Sequence, residues 1–181
     1  AITMYGAGVG VYGNSGYAYT GSTPSKLKKR IEEANSSNAE ITDINITENG
    51  NYVIILGGSG YWTLGYPDAF LKKLEQYRTG DLRDDNILSA CFNDRGEWVV
   101  ITDKHYSYSN ETIKNFILKA EELYEEVYYA YITNYGMIAC CKNGVYYKNI
   151  PSNLAEALKK LTFKPKVIKF TDNGLYLITD G

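Results

Sequence analysis

The sequence predicts an α+β fold rich in β-structure. It reads as four and a half tandem repeats of about 40 residues in the order β-β-β-α, arranged as a propeller-like ring or a short stack. Three observations predict this. A hairpin pattern recurs, in which an apolar residue leads through polar residues to a glycine. It is clearest from Phe92 to Trp98 around Gly96 and from Phe170 to Tyr176 around Gly174. Weaker copies centre on Gly50 and Gly136, and a degenerate one on Gly8. After the glycine comes a continuous apolar run, as in Tyr52-Val53-Ile54-Ile55-Leu56, which suits a strand covered on both faces. Later in each complete unit an amphipathic helical stripe follows. The units are 1–40, 41–86, 87–126, 127–165 and a partial 166–181, together one domain.

In the first unit, Val9 to Tyr12 reads as a strand, residues 13–16 as a turn and Tyr17 with Tyr19 as another strand. Pro24-Ser25 then opens a helix carrying Leu27 and Ile31, because proline is tolerated at the first helical position. In the second, Ile44 and Ile46 alternate with polar residues, and Thr47-Glu48-Asn49-Gly50 turns the chain. Gly57 to Gly60 is a second turn, Tyr61-Trp62-Thr63 a short third strand, and Pro67-Asp68 the start of a helix with the stripe Phe70, Leu71, Leu74 and Tyr77. The third repeats this order with Leu88, Ala90 and Phe92, then Trp98 to Ile101, Tyr106 and Tyr108, and a helix bearing Ile113, Phe116, Ile117, Ala120, Leu123 and Tyr124. The fourth has Ala130 and Ile132, Ile138 to Cys141, the hairpin turn Asn143-Gly144, Val145 to Tyr147, and a helix from Pro151-Ser152 with Leu154, Ala157, Leu158 and Leu161. The last holds Ile168, Phe170 and Leu175 to Ile178. Its hairpin is expected either to pair with the N-terminal strand and close a ring, or to cap an open stack.

The hairpins resemble the turns of β-propeller blades. Phe92 to Trp98 and Phe170 to Tyr176 are similar to the Asp-box hairpin of sialidase-like propellers, with Asp94 and Gly96, and Asp172 and Gly174, at the matching places. Glu48 and Asn134 stand at the Asp position in the other two clear copies. The chain departs from ordinary propellers in having three strands and a helix per unit. It is also similar to uncharacterised bacterial repeat segments with an F-x-x-x-G-x-W hairpin followed by a short helix. The resemblance implies a structural role for the boxes and no catalytic assignment.

Composition narrows the function classes. The net charge is −2 and the pI about 5.5, which argues against backbone-driven nucleic-acid binding. The basic run Lys26, Lys28, Lys29, Arg30 falls on a helix and reads as a solvated face. Cys91, Cys140 and Cys141 fall in apolar strand positions and read as buried free thiols. With no visible signal peptide, they favour a cytoplasmic location. No apolar run suggests a membrane span. The single histidine, His105, lies in a turn without a nucleophile motif around it. Glu48, Asp94 and Asp172 would offer calcium ligands only by converging, and turn shaping is the expected role. Gly6 to Gly10 and Gly57 to Gly60 lack the helix N-terminus a phosphate loop needs. No catalytic residue, metal ligand or cofactor is therefore expected.

Tyrosine is the outlier, at 18 residues. Third strands carry Tyr17 and Tyr19, Tyr61 and Trp62, Tyr106 and Tyr108, Tyr146 and Tyr147. These eight are the candidate ligand-binding residues, since Tyr and Trp offer large contact area with a polar tip. Packing against the helices is the competing role. The expected function is a non-enzymatic interaction module for a protein or peptide partner. The alternative is lectin-like carbohydrate binding.

Overall fold

The computed structural model describes residues 1–12 and 16–181. The turn expected at residues 13–16 lies largely outside the described residues. The chain runs β1 (Val9–Tyr12), β2 (Gly16–Tyr19), α1 (Ser25–Ser36), β3 (Ile41–Ile46), β4 (Tyr52–Leu56), β5 (Tyr61–Leu64) and α2 (Asp68–Arg78). It continues with β6 (Ile87–Phe92), β7 (Trp98–Thr102), β8 (Tyr106–Tyr108), α3 (Glu111–Tyr124), β9 (Val127–Ile132), β10 (Met137–Cys141), β11 (Gly144–Lys148), α4 (Ser152–Lys159), β12 (Val167–Phe170) and β13 (Tyr176–Thr179). The fold is mixed α+β and β-rich. Five small antiparallel sheets form, β1-β2, β3-β4-β5, β6-β7-β8, β11-β10-β9 and β12-β13. Among the described residues, β13 pairs with β12 alone and does not join the N-terminal segment.

Successive sheets pack face against face, so their central strands are covered twice. Tyr52 and Ile54 of β4 point into a core shared with Leu27 and Ile31 of α1. Val53 and Ile55 point the other way, into a core with Phe70, Leu74 and Tyr77 of α2 and Val100 of β7. A third core joins Val99 and Ile101 to Ile113, Phe116 and Ile117 of α3, Ile138 of β10, and Ile168 and Phe170 of β12. Each buried aliphatic side chain of this kind contributes about 1.5–3 kcal/mol relative to exposure.

Several elements differ in detail from expectation. Pro24, Pro67 and Pro151 sit one residue before their helices, at the N-cap, with extended backbone and no capping side chain. Among the described residues only α3 has a side-chain cap, where Asn110 Oδ1 accepts from Ile113 N. On α3, Leu123 is exposed, and on α4 only Leu154 is buried. In β6 a register shift between Ile87 and Ser89 turns Ile87 and Ser89 inward and leaves Leu88 exposed.

The hairpin glycines also sort differently. Gly50, Gly96 and Gly174 have φ of +85°, +80° and +100°, the left-handed region that glycine enters without strain. In the first unit that place belongs to Gly6, at φ +91°, and not to Gly8. Its turn bond, Gly6 N to Thr3 O, matches Gly50 N to Thr47 O. Gly136 has another role. Its turn is one residue shorter, closing from Thr133 N to Gly136 O, and a Cβ there would meet Asn149 O at 2.5 Å.

Candidate functional site

The third-strand aromatics do not assemble into one exposed row. Tyr17, Tyr19, Tyr61, Trp62, Tyr106, Tyr108 and Tyr146 are half-buried, and Tyr147 alone of the eight is exposed, at 38 %. Tyr17 and Tyr19 share a face, as residues two apart in a strand must, with centroids 5.8 Å apart. Helix side chains cover several of the rings. The Lys28 ammonium lies 5.2 Å from the Tyr19 ring centre, the Arg30 guanidinium 5.1 Å from Trp62 and the Arg78 guanidinium 5.9 Å from Tyr61. Such cation–π contacts contribute about 0.5–1 kcal/mol at exposed sites. Two members of the basic run on α1 thus cover aromatic rings.

Three of the hydroxyls are occupied too. Tyr19 donates to Glu32 Oε1 at 2.8 Å, Tyr61 donates to Glu75, and Tyr106 accepts from Val127 N at 2.9 Å. Burial, joined by the Glu75 carboxylate, pushes the Tyr61 phenol well above its ordinary range. Burial does the same for Tyr106. Phe116 of α3 packs on Tyr146 at 5.0 Å.

A second cluster lies where β3, β6, β9 and β12 come together. Lys169, 4 % exposed, directs its ammonium at Asp43 Oδ1 (2.6 Å), Ile44 O (2.6 Å) and Asn45 Oδ1 (2.7 Å). All three donors are used. Asn45 Nδ2 donates to Asp43 Oδ2 and to Ala90 O, and Tyr129 OH reaches Asp43 Oδ1 at 3.4 Å. Sequence reading missed Lys169, Asp43 and Asn45. Their strands alternate apolar and polar residues, which reads as one solvated face. Here that second face meets the neighbouring sheets instead. Cys91 lies in the same interior, and burial pushes its thiol up to about 12.

Above this cluster the hairpin tips form a narrow mouth. The turns are shaped by the residue three before the turn glycine, and not by Glu48, Asp94 or Asp172. Thr3, Thr47, Thr133 and Thr171 accept from a turn N–H through their hydroxyls, and Asn93 Oδ1 accepts from Arg95 N and Glu97 N. The acids instead reach a neighbouring hairpin. Glu48 accepts twice from Met4 N (3.0 and 3.2 Å), Asp172 accepts from Thr133 Oγ1 (2.6 Å), and Asp94 contacts Asn134. Burial raises the Glu48 carboxyl above its usual range, against the Met4 bond, and Asp94 and Asp172 add to the rise. The cavity between them has about 20 Å³, enough for one water. Among the described residues no three His, Cys, Asp or Glu side chains form a metal-binding group.

His105 is tied rather than free. Its Nδ1 lies 2.6 Å from Asp85 Oδ2, which also accepts from Thr102 Oγ1 at 2.7 Å. Asn86 donates to Asp103 from its N–H (2.9 Å) and its amide (3.1 Å) alongside. The group clasps the loop before β6 to the β7–β8 turn. No hydroxyl or thiol bonds the other ring nitrogen among the described residues. Cys91, Cys140 and Cys141 are buried and free.

An apolar concavity lies between the β10–β11 turn, β11, the end of α4 and the loop to β12. It measures about 480 Å³, and Tyr147, Leu158, Leu161 and Phe163 line it with three lysines. Its exposed rings are Tyr147 and Phe163, the latter 42 % exposed. Against known proteins, no family model, no curated protein and no solved structure matches this chain.

Proposed function

We propose that this protein is a non-enzymatic interaction module that binds a protein or peptide partner, on a scaffold of tandem β-β-β-α repeats set as a propeller-like ring or short stack. The observation that carries the reading is the groove beside β11. It offers an apolar floor with an exposed tyrosine, a concave shape and a rim of flexible polar side chains, the usual anatomy of a peptide site. The remaining third-strand aromatics serve the scaffold, because they pack partly against the cores and helix side chains cover Tyr19, Tyr61, Trp62 and Tyr146.

A random peptide display library selected on the whole chain tests this. Enriched peptides should bind saturably, and Tyr147→Ala should weaken them about fivefold or more, as loss of one aromatic anchor implies. A library that yields no binder above background removes the reading. A second reading, carbohydrate binding, draws on Asn143 beside Tyr147 in the same groove, since an amide next to an aromatic face is what a sugar ring uses. Saturable binding on a glycan array, lost in Tyr147→Ala, would favour it over the peptide.

A further inference from the structure

The groove beside β11 is basic in a chain that is acidic overall. From residue 142 to 166 there are six lysines and a single acid, Glu156, in a protein of net charge −2. Lys142, Lys159 and Lys164 line the groove itself. Their internal partners are weak. Lys142 meets Glu125 at 3.5 Å and Lys159 meets Glu156 at 3.1 Å, both pairs exposed to solvent, where ion pairs contribute little. Lys164 lies 5.2 Å from the Tyr128 ring centre. Lys148, Lys160 and Lys166, on the same stretch, take part in no ion pair among the described residues.

We infer that the groove takes an acidic peptide segment in extended form, its carboxylates on Lys142, Lys159 and Lys164 and an aromatic or large aliphatic side chain between Tyr147 and Phe163. This rests on the interaction-module reading and names the partner's chemistry. Charge complementarity selects the occupant, because three ammonium groups rim one apolar floor. Lysine suits such a site. It is a point charge with rotatable donors on a flexible stem, so it accepts carboxylates at varied spacing. Its stem also extends the apolar floor. The floor distinguishes a peptide from a bare polyanion, which would leave Leu158 and Phe163 unused.

Fluorescence polarisation with a fluorescein-labelled peptide of alternating Glu and Phe, on the whole chain, tests the inference. It should bind about tenfold or more tightly than a Lys/Phe peptide and than a Glu/Ser peptide, and weaken as salt screens the charges. K159E/K164E should lower its affinity about tenfold, since attraction becomes repulsion at two sites. Both side chains are exposed, so the circular dichroism spectrum should stay unchanged. K164Q, with a smaller loss in the same direction, serves if the double variant misfolds. Equal binding of the Lys/Phe peptide, or full affinity in K159E/K164E, overturns the inference. So does equal displacement by heparin and single-stranded DNA, which would mark a surface for any polyanion. Self-association abolished by K159E/K164E without peptide binding would make the groove an interface between copies, and also overturns it. Library peptides that bind but ignore K159E/K164E would leave the interaction module standing and remove only this assignment.

Discussion

Lys169 shows how one side chain can join distant parts of a repeat chain. It lies more than a hundred residues from Asp43, yet their charged groups are 2.6 Å apart and both are almost fully buried. Removing the lysine strands Asp43 in the interior, and breaking such a pair costs about 3–5 kcal/mol. K169M should therefore lower the urea midpoint strongly, and D43L/K169M should recover much of it. A double variant no better than K169M alone would count against the charge-pair account. The cysteines make a second residue-scale prediction. Burial raises Cys91 and Cys140 to about 12 and Cys141 to about 11, from a thiol value near 9.0. In the unfolded chain the thiols ionise first, so alkali favours unfolding. The stability is intact below pH 9 and is lost as pH climbs from there through 11 and 12. Urea midpoints should be flat from pH 7 to 8 and fall at pH 10. Native protein should react slowly with a thiol reagent, and unfolded protein at once.

At the scale of single elements, the hairpins separate two uses of glycine. Gly96 has φ +80° with nothing within 4 Å of an added Cβ, so Gly96→Ala should cost about 1 kcal/mol of backbone strain. Gly136→Ala drives its methyl into Asn149 O and the Phe170 ring and should cost more, about 1–3 kcal/mol. Thermal melts of the two variants would rank them, and the opposite order would refute the assignment. Asn110→Ala removes the side-chain N-cap of α3 and should cost about 1 kcal/mol. The hairpins also show what was legible. The recurrence of glycine was visible in the sequence, and so was the Thr or Asn at Thr3, Thr47, Asn93, Thr133 and Thr171. The resemblance drew attention to the acids instead, whose partners on neighbouring hairpins become visible only once the sheets stack.

Across the whole molecule, protection is set by how many faces of a strand are covered. The residues of β7 are all buried, whereas Tyr176 and Leu177 of β13 are exposed. Amide exchange should be slowest in β4, β7 and β10 and fastest in β1 and β13, with K169M speeding β12 and β13 further. Uniform protection across all strands would contradict this ranking. The groove belongs to this scale as well. Tyr147 was named from its strand, but Phe163 and the three lysines come from other segments, and no spacing in the sequence announces that they meet.

By itself the sequence determined the order of elements, the positions of most turns and which central strands are apolar throughout. These follow from local chemistry: the backbone freedom of glycine, the stiffness of β-branched residues and the period of an amphipathic helix. Tertiary structure decided which polar faces are buried and which aromatics remain open. Asp43, Asn45 and Lys169 look solvated in their own strands and become interior because sheets pack on both sides. Seven candidate aromatics pack partly against the cores, and helix side chains cover four of them, Tyr19, Tyr61, Trp62 and Tyr146. Tyr147 keeps its face because, beside it, α4 and the loop to β12 leave a groove open.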